Sequence, residues 1–379
     1  MIKFVHTSDW QMGMKAKHVS EKGSELREAR LKAAKNVLLA AQEERCDFII
    51  IAGDLFEDNA VEQVLVQRVV DLLSKTHCPI YIIPGNHDAL TPNSVYRRGL
   101  WERAGSHIHV LNVAEPMEIG EAILYPCPLF EKSSRSDPTS WIPVEEPNRV
   151  RIGIAHGNLL IREDIPDDDF PIAPDAAVKY KLDYLALGHW HSLLKYKGPD
   201  GIARTAYSGT HETTKFGESR SGQALAVEIE APEAEPQIRE ISTGTLRWKQ
   251  WRRQVTGAED VRGLMGELEQ IENPESLLLE VALEGTLDVG GLTLMEEEVC
   301  PLLESRCLYN RLNREKLLRQ PTESELRQLA PEGPLRETID RLSRMANPQS
   351  GTPLPEGVTP EVADVALSLL YRLAKEVQQ

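Results

Sequence analysis

Pro79-Ile80-Tyr81-Ile82-Ile83-Pro84 runs directly into Gly85-Asn86-His87-Asp88, and the reading of this stretch decides the fold. A short Ile-rich run bounded by prolines reads as a buried strand. The polar tetrad then stands where that strand emerges, the usual place for chemistry in an α/β sheet. Asn86 offers a neutral oxygen ligand, His87 a nitrogen that binds metal or passes a proton, and Asp88 a carboxylate to orient it.

Working outward, four further polar clusters follow apolar, strand-like runs: Asp9-x-Gln11, Gly53-Asp54, Ala155-His156-Gly157 and Gly188-His189-Trp190-His191. Small residues flank most of them, which lets a metal or a phosphate approach the backbone. One histidine after a strand is ordinarily structural. Five clusters mixing carboxylate, amide and imidazole exceed what core packing asks for. Oxygen and nitrogen donors without thiolate point to Mn, Fe, Zn or Mg. Asp54 has two oxygens and can bridge two ions. Such a pair, about 3.5–4 Å apart, clamps a phosphoryl group and acidifies a shared water. His87 is then the acid that protonates the leaving alkoxide, with Asp88 setting its orientation.

The surrounding pattern is α/β. Residues 3–7 and 48–52 read as strands, 24–45 and 61–74 as helices, with Ser24 as the N-cap of the first. Near-continuous apolar strands between helices mean a largely parallel sheet covered on both faces. From residue 106 strands dominate: 108–113, 122–125, 150–155, 184–187, 193–197 and 204–207. Residues 133–148 read as a surface loop, and Asp167-Asp168-Asp169, among prolines, as a solvated one in preference to a cation site. Residues 231–236 read as a turn. Leu246-Arg247-Trp248-Lys249-Gln250-Trp251-Arg252-Arg253 reads as a base-stacking surface or as a half-buried strand. A small α/β unit follows, then mostly helix. The expected division is 1–244, 245–320 and 321–379, with the last helix, 360–379, packed on its own domain or docking a partner.

Length and composition agree with this. A chain of 379 residues exceeds one ordinary core. The N-terminus enters a strand without a signal-peptide layout, and no apolar run is long enough for a bilayer. Five scattered cysteines without a CxxC pair read as reduced thiols in a cytoplasmic protein. A net charge of −16 argues against a freestanding, tight nucleic-acid binder, but not against an enzyme that holds phosphodiesters through metal ions.

The order and spacing resemble the calcineurin-like metallophosphoesterases, and within them the DNA-repair exonuclease branch of SbcD-like nuclease subunits. The matching words are His6-Thr7-Ser8-Asp9-Trp10, Ala52-Gly53-Asp54-Leu55-Phe56, Pro84-Gly85-Asn86-His87-Asp88, Ala155-His156-Gly157, Leu187-Gly188-His189-Trp190-His191, Tyr207-Ser208-Gly209-Thr210 and Phe216-Gly217-Glu218. The resemblance implies a four-layer α/β/β/α sandwich followed by a small α/β capping domain and C-terminal helices. It assigns Asp9, Gln11, Asp54 and His191 to one metal, and Asp54, Asn86, His156 and His189 to the other, with His87 catalytic. It also implies manganese, DNA as substrate, an SbcC-like ABC ATPase partner and homodimerisation.

Two residues depart from the family's pattern. Gln11 stands where a histidine ligand is usual, which weakens the first metal position. Glu57 stands where relatives often carry a histidine; it removes a phosphate contact or simply suits the N-terminus of the next helix. Two alternatives therefore stand beside the nuclease: a small-molecule phosphodiesterase, and a scaffold subunit with a degenerate metal site.

Overall fold

The computed structural model describes residues 1–379 except 17, 18, 20, 21, 145–147, 163–165, 167 and 379. They form two compact units, Met1–Leu246 and Arg247–Gln379.

The first unit begins with β1 (Ile2–Thr7), α1 (Gly23–Glu43), β2 (Phe48–Ala52), α2 (Gln63–Leu73), β3 (Ile80–Ile83) and β4 (Ile108–Val110). It continues with β5 (Met117–Ile119), β6 (Ala122–Pro126), β7 (Val150–His156), β8 (Asn158–Leu159), β9 (Pro171–Ile172) and α3 (Ala176–Lys179). β10 (Tyr184–Gly188), β11 (Leu194–Tyr196), β12 (Thr205–Tyr207), β13 (Gln223–Ile229) and β14 (Gln237–Ser242) complete it. Two six-stranded sheets result, ordered β14-β13-β1-β2-β3-β4 and β11-β12-β10-β7-β6-β5. β1 to β4 run parallel, as do β6, β7, β10 and β12, and the antiparallel pairs lie towards the edges.

Three apolar layers make this unit a four-layer α/β/β/α sandwich. Ile49 and Ile51 of β2 face Val37 and Val69 on the helices, while Phe48, Ile50 and Ala52 face Ile152 and Tyr184 of the other sheet. A strand buried on both faces cannot alternate in polarity, which is why β2 is apolar throughout. The third layer packs Leu185, Leu187 and Tyr207 against Ala176 and Tyr180.

Local details differ from expectation. Ser24 lies inside α1 and its hydroxyl donates to Glu25; Lys22 holds the N-cap position, without a side-chain bond. Glu57 is not at a helix start, because α2 opens at Gln63 with Glu62 before it. The acidic triplet falls partly outside the described residues, at 167, but Asp168 and Asp169 lie within them.

The second unit contains β15 (Arg247–Val255), α4 (Ala258–Glu269), β16 (Leu277–Leu287), α5 (Val289–Leu294), a π-helical turn at Met295–Val299 and α6 (Cys300–Arg306). β17 (Tyr309–Arg319), α7 (Glu323–Leu329), α8 (Pro334–Ala346) and α9 (Pro360–Gln378) follow. β15, β16 and β17 form one parallel sheet. Trp251 packs on the core of this unit, with the Arg253 guanidinium 5.0 Å from its ring centroid. The C-terminal helix is tied to the same sheet: Asp364 of α9 accepts from Thr286 at 2.5 Å and from Gln320 at 2.7 Å. No helix among the described residues is long and apolar enough to cross a membrane.

Candidate metal centre

Five strands deliver the site from their C-terminal ends: β1, β2, β3, β7 and β10 lead into Asp9 and Gln11, Asp54, Asn86, His156, and His189 and His191 respectively. The turns after them are strained. Asp9 (φ 54°), Gln11 (φ 40°), Asp54 (φ 52°) and His189 (φ 109°) all adopt positive φ, which non-glycine residues rarely do and which clusters at functional sites. Hydrogen bonds from Asp9 N–H to the Gly53 carbonyl (3.1 Å) and from Gln11 N–H to the Asp54 carbonyl (2.8 Å) hold the first two turns together. The buried Arg30 guanidinium donates to the carbonyls of Asp9 and Trp10 from behind.

Close approach of the backbones requires glycine. A Cβ on Gly85 would stand 2.2 Å from Asp54 Oδ1, and one on Gly188 would stand 1.9 Å from the Ala52 carbonyl oxygen. Gly188→Ala is therefore expected to destabilise the metal-free protein by about 3 kcal/mol, the upper range for forced overpacking. Its denaturant midpoint, measured in chelator, checks this.

Asp9 and Asp54 are almost completely buried and converge on His156; ligand atoms of the three lie within 4.8 Å of one another. Asp9 accepts from the Ser8 hydroxyl at 2.5 Å and from His189 N–H at 3.1 Å. Asp54 Oδ1 accepts from His87 N–H at 3.0 Å, and its Oδ2 lies 3.4 Å from His156 Nε2. Burial alone would push the His156 imidazole down, but the Asp54 carboxylate, with Asp9 beyond it, raises it to about 10. Asp54 is itself held down near 2: burial opposes its charge, and His156 outweighs burial. Two buried carboxylates thus demand a cation between them. A divalent ion at the same oxygens meets that demand, so the residues fit a metal.

The imidazoles are aimed by their outer nitrogens, as metal ligands usually are. His156 Nδ1 donates to the Ala52 carbonyl at 2.9 Å, leaving Nε2 beside Asn86 Oδ1 at 2.9 Å. His191 Nδ1 donates to Glu218 at 3.1 Å, leaving Nε2 facing the Gln11 amide at 3.1 Å. His189 Nε2 lies 3.0 Å from Asp169 Oδ2, and the hydrogen bond holds the Asp169 carboxyl below its ordinary range. Sequence reasoning misses Asp169 and its neighbour Asn158 as site residues. The available signal is an acidic run soon after the His156 strand.

His87 Nδ1 donates to the Glu57 carbonyl at 2.8 Å, so Nε2 is its free nitrogen. The orientation expected from Asp88 thus comes from Glu57 instead. Asp88 is fully buried and accepts from Gly85 N–H (2.8 Å), Phe56 N–H (2.9 Å) and the Tyr96 hydroxyl (2.6 Å), bracing the loop that carries Asn86 and His87. Burial, with the Asp54 charge nearby, pushes its carboxyl up to about 6. A cavity of about 440 Å³ is lined by Gln11, Asp54, Glu57, His87, His191 and Lys215, among others. Burial raises the Glu57 carboxyl as well.

A family model described as calcineurin-like phosphoesterase matches residues 2–193. The chain is 25% identical over 206 residues to an uncharacterised metallophosphoesterase, YhaO, of Bacillus subtilis, covering 50% of this chain and 48% of that protein. It is 34% identical over 93 residues to the SbcD component of the nuclease SbcCD of Escherichia coli K12, covering 24% and 22%. It is 25% identical over 227 residues to the DNA double-strand break repair protein Mre11 of Methanosarcina acetivorans, covering 58% and 35%. The matches thus span about half the length of the first of these curated relatives and less of the other two.

Proposed function

This chain belongs to the calcineurin-like phosphoesterase family, and from that premise we propose that it is a metal-dependent phosphodiesterase acting on DNA, an exonuclease subunit in repair. The observation that carries the reading is the convergence of Asp9, Gln11, Asp54, Asn86, His156, His189 and His191 at five strand ends, with the free Nε2 of His87 in the same cavity neighbourhood. Two relatives named for DNA nuclease or repair activity support the choice of substrate.

Asp9, Gln11, Asp54 and His191 would hold one divalent ion, and Asp54, Asn86, His156 and His189 the other; Mn²⁺ suits this oxygen and imidazole set. When bound, the pair neutralises phosphoryl charge and lowers the pKa of a water. His87, held through Nδ1 on the Glu57 carbonyl, gives a proton from Nε2 to the leaving alkoxide. Lys215 lines the same cavity and supplies a cation for a neighbouring phosphate. The reading extends to an SbcC-like ABC ATPase partner, in keeping with the name of one relative as a component of SbcCD.

The net charge of −16 favours a second reading, a small-molecule phosphodiesterase of the same chemistry. The deciding experiment incubates the protein with Mn²⁺ and end-labelled duplex or single-stranded DNA, beside bis-p-nitrophenyl phosphate. Cleavage of both supports the nuclease. Cleavage of the chromogenic ester alone supports the second reading.

Gln11 turns its amide nitrogen to His191 Nε2 at 3.1 Å, so a half-turn of the amide would bring its oxygen to a cation there, a donor that binds a hard cation more weakly than imidazole. Gln11→His is expected to tighten Mn²⁺ at the first position by about tenfold, or ~1.4 kcal/mol. A calorimetric Mn²⁺ titration of both proteins checks this.

A further inference from the structure

Asp169 lies in the stretch that reads from sequence as a solvated acidic loop, and the fold turns that stretch inward. β8 and β9 pair in parallel, Asn158 with Pro171 and Leu159 with Ile172. Gly157 permits this approach: a Cβ there would stand 2.3 Å from the Phe170 carbonyl oxygen. Asn158 N–H donates to that carbonyl at 3.0 Å. The Asn158 side chain then grips the neighbouring residue, its Nδ2 donating to Asp169 Oδ2 at 2.5 Å and to the Asp169 carbonyl at 3.1 Å.

The hydrogen bonds decide the tautomer of His189. Trp190 Nε1 is a donor only, and it lies 2.5 Å from Asn158 Oδ1, which fixes the Asn158 amide with its nitrogen towards Asp169 and His189. Trp190 is held in turn by stacking on Tyr207, with centroids 4.8 Å apart and planes within 8°. His189 Nε2 faces both Asp169 Oδ2 and Asn158 Nδ2, each at 3.0 Å. Of these two, only the carboxylate accepts. A bare Nε2 would set its lone pair against the Asp169 oxygen, whereas Nε2–H makes a charge-assisted bond to it. The proton therefore sits on Nε2, and Nδ1 is the ring atom that neutral His189 has left to offer a metal.

We propose that Asp169 is a positioning residue for His189: its carboxylate, gripped by Asn158, fixes the Nε2–H tautomer and the ring angle that the second metal position requires. The inference rests on the two-metal reading. It also explains how His189 keeps a backbone at φ 109°, since Asp9 holds its N–H and Asp169 holds its ring.

The test compares the wild-type chain with Asp169→Ala and Asp169→Asn by Mn²⁺ titration, by the visible spectrum of the Co²⁺ form and by kcat against KM. Asp169→Ala is expected to weaken one class of Mn²⁺ site by about 10–100-fold. It should also alter the Co²⁺ spectrum and lower kcat more than it raises KM. Asp169→Asn keeps an oxygen that accepts from Nε2–H, and is expected to restore most of the affinity; it also serves if the alanine variant folds poorly. Wild-type affinities and spectrum in Asp169→Ala would overturn the positioning role and leave the two-metal reading standing. An asparagine variant as weak as alanine would also overturn it, since charge alone would then matter. Less than one Mn²⁺ per wild-type chain would overturn both.

Discussion

His87→Ala is expected to lower phosphodiester turnover by about 10²–10⁴-fold, the contribution of a positioned general acid, with both metal equivalents still bound. The side chain is partly exposed and its ring is held on a backbone carbonyl, so its removal strips no partner from a metal ligand's side chain. The loss depends on the leaving group. An alkoxide needs the proton; p-nitrophenolate does not, so the deficit shrinks on the activated ester. Turnover of both substrates by wild type and variant, with metal content measured on the same preparations, checks the result. An equal deficit on both substrates would assign His87 to binding and not to proton transfer.

Asp54→Asn costs more than activity. Asn keeps the shape and tolerates the left-handed backbone at φ 52°, so the fold survives. The charge that the two proposed metal positions would share is lost. Metal content is expected to fall below one per chain and turnover by about 10³-fold, the scale lost when a preorganised electrostatic group is removed. The metal-free protein changes too. The His156 pKa rises from 6.5 to about 10 on folding, so the stabilisation it reports is complete below pH 6.5 and is lost as pH climbs towards 10. Asp54, depressed from 3.8 to about 2, loses its share as pH falls through that lower window. Thermal unfolding of chelated wild type should therefore weaken from pH 6.5 to 10, and Asp54→Asn should show a shallower slope, since Asp9 still favours the charged His156.

Much of the centre is legible in the sequence because each ligand follows an apolar strand, and a strand buried on both faces announces its own end. Asp54 after Phe48–Ala52 is the clearest case. What is not legible depends on chain segments that meet only in three dimensions. Asp169 reads as solvated because nothing near it in sequence reveals that β9 pairs with β8. Asp88 reads as the partner of His87 because it is adjacent, whereas the backbone turn gives that role to the Glu57 carbonyl. β17 escapes notice for another reason. Arg311 and Lys316 pair with Glu280 and Glu284 of β16, so its polar positions are satisfied across the sheet, and its apolar signal is thin. Ser24 shows that a favourable capping residue does not set the helix start when the chain enters the helix before it.

The bond between Gln11 and His191 joins residues 180 apart in sequence. A ribosome must therefore deliver nearly the whole sandwich before both halves of the centre exist together. Until then the chain carries Asp9, Gln11, Asp54, Asn86 and His156 without the His189 and His191 that complete the set. The proposed centre is therefore completed only when the chain just beyond β10 emerges, and a piece that stops before it lacks two of the seven donors.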